Sequence, residues 1–183
     1  MSITTLYTIG HGNKSLNEFI EELRTYSIEY LFDVRSFPMS KYNPHFNRPL
    51  LDYNLGNILI SYTFLGEYLG GLPKDRSCFT DDKVDYKKIR GKSFFQEGIQ
   101  LLIDGHKEKL KIALMCSEQN PEDCHRSKLI GEELLKHGIS LNHITPNGLK
   151  KQERVISELT KGNGTKDLFG KNDFTSRNKY INE

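Results

Sequence analysis

Apolar residues in this chain gather into short blocks, and most blocks are followed by a turn signal and then by apolar positions at helical spacing. Leu6 to Ile9 is a β-prone block broken off by Gly10-His11-Gly12. Ser15 then stands three residues before Glu18, the capping-box spacing, while Leu16, Phe19, Ile20 and Leu23 recur at helical intervals, so the opening reads strand, turn, helix. Tyr30-Leu31-Phe32 predicts a second strand that runs through Asp33-Val34-Arg35 into a long loop carrying Pro38, Pro44 and Pro49. A short helix is expected over Pro49 to Asn57, with Asn47 or Arg48 near its start, and a third strand over Ile58 to Phe64. Gly66, Gly70 and Gly71 predict irregular backbone, and Cys78 to Lys92 is too polar to assign. Ser93 and Gln96 repeat the capping-box spacing ahead of a helix ending near Gly105. Lys111 to Met115 predicts a strand, His125 to His137 a helix with Gly138 as C-cap, Ile139 to Ile144 a last strand, and Lys150 to Leu159 a last helix.

Strands that alternate with helices predict an α/β fold: a three-layer domain with a mainly parallel sheet flanked by helices. The strand order is not legible. Residues 1–160 are expected to form this single domain. Residues 161–183, rich in Gly, Asn, Lys and Asp and poor in aliphatic side chains, are expected to be a polar, flexible C-terminal tail, or one ordered by a partner.

With 183 residues, 36% of them hydrophobic and 27% charged, one domain with a sizeable core is the natural fit. A net charge of +2 is too mild to argue for nucleic-acid or membrane binding, so any such claim must come from local pattern. No apolar run is long enough to span a bilayer, and Met1-Ser2-Ile3-Thr4-Thr5 lacks the features of a signal peptide, so no membrane association and a cytoplasmic location are expected. The three cysteines, Cys78, Cys116 and Cys124, are an odd count in a chain that needs no staples, which points to free thiols, with a Cys116–Cys124 pair as the alternative. No C-x-x-C accompanies them, and a metal on Cys116, Cys124 and His125 would need ligands from elsewhere, so neither a metal site nor a cofactor is expected.

Ligands of open α/β sheets bind beyond the carboxyl ends of the strands. Three candidate strands end in Gly10-His11-Gly12, Asp33-Val34-Arg35 and Cys116-Ser117-Glu118, and if they are parallel neighbours all three motifs open on one rim. His11 is a candidate acid/base, with a helix-capping turn histidine as an equal alternative. Asp33 and Arg35 are expected to cooperate only if the backbone turns at Val34; otherwise Asp33 orders the loop and Arg35 makes a structural ion pair. Between Asp33 and Asp52 there is no acidic residue, and Arg35, Lys41, His45 and Arg48 interleave with Phe37, Tyr42 and Phe46, a pattern that suits a nucleotide or a single strand as well as an ordinary surface loop. Cys124 falls where a helix should begin, with His125 beside it and Arg126 in the first turn, which favours a thiolate or a bound anion. A phosphatase cradle of the form C-x5-R is disfavoured because that position from Cys116 is Glu122. A rhodanese-like sulfurtransferase remains as an alternative, although this loop is longer and more acidic.

Thr8-Ile9-Gly10-His11-Gly12, Asp33 through Ser40, Leu65-Gly66-Glu67-Tyr68-Leu69-Gly70-Gly71, and Ala113 through Pro121 with Cys124-His125-Arg126 together resemble the DUF488 family across roughly residues 6 to 145. The resemblance implies a compact α/β fold and no established reaction. The residues themselves lead to the expectation of an enzyme of unknown reaction class that binds an anionic, phosphate-bearing small molecule or nucleic acid at the strand ends. His11, Cys116, Glu118 and Cys124 are its candidate catalytic groups, and Asp33, Arg35, Tyr42, Arg48, His125 and Arg126 its candidate ligand-binding groups. The alternative is a non-catalytic module for nucleic acid or protein.

Overall fold

The computed structural model describes residues 6–160 and 174–180. β1 (Leu6–Gly10) leads into α1 (Leu16–Thr25), whose predicted capping box is present: Ser15 Oγ accepts from the Glu18 N–H, and the Glu18 carboxylate accepts from the Ser15 N–H at 2.7 Å. β2 (Tyr30–Asp33), α2 (Arg48–Gly56) and β3 (Ser61–Phe64) follow as predicted, and Pro49 occupies the first turn of α2. Next come α3 (Gly66–Leu69), a short hairpin of β4 (Phe79–Thr80) and β5 (Lys83–Asp85), α4 (Tyr86–Arg90) and α5 (Ser93–Lys107). β6 (Ile112–Cys116) precedes a π-helical stretch, Arg126–Gly131, continued by α6 (Glu132–Lys136). β7 (Asn142–Thr145), β8 (Gly148–Lys151), α7 (Gln152–Leu159) and β9 (Thr175–Lys179) complete the order.

Six strands form one sheet in the order β3-β2-β6-β1-β7-β8, parallel except for the β7–β8 hairpin at one edge. Side chains alternate across the pleat. Ala113 and Met115 of β6 therefore face one core, with Phe19 and Leu23 of α1 and Leu51 and Leu55 of α2. Ile112, Leu114 and Cys116 face the other, with Ile99 and Leu102 of α5 and Leu134 of α6. This is the three-layer arrangement expected from the alternation of strands and helices. No helix among the described residues is long and apolar enough to cross a membrane.

Several local expectations change. Gly66, expected in irregular backbone, opens α3. Ser93 caps nothing, because α5 already includes it and Lys92 is the N-cap; Gln96 instead donates to the Arg90 carbonyl at 2.7 Å. The helix expected over His125 to His137 begins with a wide π turn, a local distortion that recurs at functional sites. Ile139 to Ile144 does not supply the last strand, since β8 and β9 follow, and Lys150 lies in β8 ahead of the final helix.

The polar tail expected over 161–183 contributes β9, which pairs antiparallel with β5. Phe174 and Tyr180 pack on the α5-side core, and Ser176 Oγ accepts from the Val84 N–H at 3.0 Å, so aromatic anchors and ladder bonds order this segment despite its polarity. Residues 161–173 and 181–183, the remainder of that expected tail, lie outside the described residues.

Candidate functional site

The register brings the three expected motifs to one sheet edge. Gly10 of β1 is level with Cys116 of β6, and Asp33 of β2 is level with Met115, so all three strands end together. A Cβ on Gly10 would stand 1.9 Å from the Glu118 carbonyl oxygen, so glycine here lets the loop after β6 fold back over β1.

The pleat, however, sorts these residues onto two faces. Cys116 points to the α5 side. His11 stacks on Phe46, 4.4 Å between ring centroids, and Phe46 in turn packs on Phe19 of α1. His11 Nδ1 is 2.8 Å from the Gly12 carbonyl and therefore carries the proton, while buried Nε2 has no partner among the described residues. Burial lowers its pKa to about 4, leaving a neutral ring. The expected partnership of His11 with the cysteines is thus absent from this geometry.

On the α5 side a cavity of about 380 Å³ is lined by Arg35, Tyr86, Cys116, Glu118, His125 and Arg177 among others. Cys116 Sγ lies 2.8 Å from Glu118 Oε2. His125 Nδ1 lies 3.8 Å from Cys116 Sγ and 3.6 Å from Cys124 Sγ, and all three ligand-type atoms fall within 4.8 Å of one another. His125 Nε2 is 3.1 Å from the Val34 carbonyl, which can only accept, so Nε2 carries a proton and Nδ1 faces the sulfurs. A Cβ on Gly71 would come within 2.8 Å of this ring, so the glycine motif around Leu65–Gly71 makes room for the imidazole.

All three cysteines are free. Hydrogen bonding with Cys124 and burial push the Cys116 thiol well above its ordinary range. Burial acts on Cys124 in the same sense, but the hydrogen bond from Cys116 and the charges of Arg126 and His125 outweigh it and bring Cys124 well below that range. Burial opposes the charge on His125 as well, yet the neighbouring Cys124 raises its pKa overall.

Arg126 does not reach the cavity. It is 1% exposed, its Nε and backbone N–H both donate to Cys124 Sγ at 3.2 and 3.4 Å, and its Nη2 donates to the Glu118 carbonyl at 2.6 Å. Its Nη1 donates to Thr8 Oγ1, which pairs with His143 Nδ1 at 2.7 Å, and His143 Nε2 pairs with Gln152 Oε1 at 2.7 Å. Thr8, His143 and Gln152 were not among the candidate residues. The signal for them was polar side chains inside or beside apolar strand blocks, each of which needs a buried partner.

β2 ends at Asp33, and the Arg35 N–H donates back to Asp33 Oδ1 at 3.1 Å, the Asx-turn bond, so the chain leaves the strand at Val34 and the two side chains cooperate as that turn allows. Arg35 Nε and Nη2 donate to the two Asp33 oxygens at 2.9 and 2.6 Å, and Tyr62 Oη donates to Asp33 Oδ2 at 2.7 Å. Burial and the Asp33 charge keep the Tyr62 phenol protonated. Arg35 Nη2 also donates to the Phe46 carbonyl at 2.8 Å.

Tyr42 and Arg48 are not part of this cavity. Tyr42 is 93% exposed. Arg48 stacks over the Phe64 ring at 4.7 Å and lines a neighbouring, more apolar cavity of about 540 Å³ with Phe37, Phe64, Pro73 and Phe94. The two cavities share Ser36, Phe37 and Leu72 as their common wall. β9 and the residue after it, absent from the expected site, close the first cavity with Ser176, Arg177, Asn178 and Tyr180.

No curated protein and no solved structure matches the chain. A family model described as a domain of unknown function, DUF488, matches residues 15–132, a span that takes in Asp33–Arg35, Leu65–Gly71 and Cys116–Arg126 and begins after the Gly10–Gly12 motif. On that match and the fold that accompanies it, the chain belongs to the DUF488 family.

Proposed function

We propose that the chain is an enzyme acting on a small molecule with an anionic group and an aromatic or apolar body, a nucleotide being the chemistry that fits best. One observation carries this reading: the thiol, imidazole and carboxylate cluster of Cys116, His125 and Glu118 opens into a cavity that adjoins an aromatic-lined one across Phe37. Concave sites that join an apolar wall to a few convergent polar groups are the usual form of small-molecule sites. Arg35, held rigid by Asp33 and among the residues that line the cavity, is the anchor for a single anionic group. Glu118 and Asp123 disfavour a densely charged ligand, so one phosphate or carboxylate near Arg35 suits the cavity better than a polyphosphate. The Glu118 carboxylate beside Cys116 Sγ also weighs against a rhodanese-like persulfide, whose negative charge it would oppose.

Calorimetric titration with nucleoside monophosphates, inorganic phosphate and free nucleosides tests the reading. A nucleoside monophosphate is expected to bind more tightly than phosphate or nucleoside alone, and Phe37→Ala to weaken it by about tenfold, the loss of one stacking contact. Absence of binding by every compound in the panel, or affinity indifferent to Phe37→Ala, overturns it.

A second reading has its own observation: Phe37, Met39 and Tyr42 are all strongly exposed on the loop between β2 and α2. A non-catalytic interface for single-stranded nucleic acid would use these side chains with Lys41. It predicts salt-dependent oligonucleotide affinity that falls on Tyr42→Ala and is unchanged by Cys116→Ser.

A further inference from the structure

We propose that Cys116, Cys124 and His125 bind a zinc ion whose fourth coordination position faces the strand-end cavity. The inference rests on the proposal that this cavity is a reaction site and adds the group that does its chemistry. Three lines on the molecule converge on it.

The first is distance. Zinc–sulfur and zinc–nitrogen bonds of about 2.3 and 2.0 Å at tetrahedral angles place sulfur and nitrogen about 3.5 Å apart. His125 Nδ1 lies 3.6 Å from Cys124 Sγ and 3.8 Å from Cys116 Sγ. Both sulfur–nitrogen separations therefore match such a site, and the two sulfurs lie within 4.8 Å of each other, so a small inward shift of the thiols to about 3.8 Å completes three of its corners.

The second is the surrounding shell. Histidine ligands characteristically donate their remaining N–H to a carbonyl or carboxylate, which fixes the ring, and His125 Nε2 does so to the Val34 carbonyl at 3.1 Å. Metal thiolates are characteristically hydrogen-bonded, and Cys124 Sγ accepts from both the backbone and the guanidinium of Arg126. Arg126 is itself locked by Thr8 and the Glu118 carbonyl, so the sulfur is presented by a rigid frame.

The third is openness. Cys116 and His125 line the cavity while Cys124 lies behind them, which leaves the missing tetrahedral corner on the cavity side. Three protein ligands with one open corner is the pattern of catalytic rather than structural zinc, and two thiolates with an imidazole is a donor set that suits zinc. Glu118, whose carboxylate is 2.8 Å from Cys116 Sγ, stands where it can accept a hydrogen bond from water in that corner.

The test is elemental analysis of the full chain loaded with zinc and then desalted, together with cobalt(II) titration of metal-free protein. Stoichiometric zinc is expected in the unaltered chain and in Cys78→Ala, and its loss in Cys116→Ser and in Cys124→Ser. Because those serine variants alter a buried cluster, cobalt spectra of the unaltered protein provide the independent readout: thiolate-to-cobalt charge transfer with the intense visible bands of tetrahedral geometry. Folded, unaltered protein that retains no zinc, or cobalt spectra without thiolate bands, overturns the assignment. Nucleoside monophosphate titration of the same metal-free and loaded samples separates the two proposals. Nucleotide binding without stoichiometric zinc removes only the metal site, and zinc binding without nucleotide affinity removes only the proposed ligand class.

Discussion

Gly10 passes so close to Glu118 that the loop after β6 rests directly on the end of β1, with 1.9 Å separating the Glu118 carbonyl oxygen from the place a Cβ on Gly10 would take. That carbonyl also accepts from Arg126 Nη2. One glycine thus holds the carboxylate-bearing loop and the arginine behind Cys124 in a common arrangement.

Gly10→Ala is expected to destabilise the fold by about 1–3 kcal/mol, the usual range for overpacking a tight site. Urea denaturation measures this. A midpoint unchanged from that of the unaltered chain would show that the loop yields freely and that the contact is not a constraint.

Asp33 is fully buried, and four donors serve it: the Arg35 backbone, Arg35 Nε and Nη2, and Tyr62 Oη. Asp33→Ala leaves the arginine charge buried and unpaired, which costs about 3–5 kcal/mol. Tyr62→Phe removes one bond and is expected to cost about 1–2 kcal/mol. Chemical denaturation of the two variants side by side checks the order. Equal losses would contradict the assignment of Asp33 as the hub.

His143 carries the clearest pH signature. Burial, with help from the Arg126 charge, lowers its pKa from 6.5 to about 4. Between those values the unfolded chain takes up a proton that the folded chain does not, so stability falls as pH drops through this window and rises again on return to neutrality. The full effect is on the order of 3 kcal/mol. Urea midpoints measured across this window should fall less steeply with acid in His143→Gln than in the unaltered chain, and identical slopes would refute a neutral buried His143.

Removal of residues from 174 onward takes away β9, the apolar anchors Phe174 and Tyr180, and the cavity wall that includes Arg177. The six-stranded sheet does not include β9, so cooperative unfolding is expected to persist at a lower midpoint. Affinity for nucleoside monophosphates should fall together with it. Circular dichroism melting and calorimetry read the two effects separately.

Periodicity and capping residues by themselves determined most of what is local: β1, α1 with its Ser15–Glu18 box, β2, β6, and the alternation that makes a parallel three-layer fold. These signals lie within a few neighbouring residues, so they survive in the linear chain. The strand-end motifs were legible for the same reason. Which of them meet was decided by the strand order β2-β6-β1 together with the pleat, because a difference of one residue sends a side chain to the opposite face. His11 was thereby separated from Cys116, and His125 was brought to it across the loop. The same folding carried Thr8, His143 and Gln152 under Arg126, and closed the cavity with β9. These contacts depend on partners some ninety or more residues apart or on turns of irregular backbone, and no local pattern encodes them.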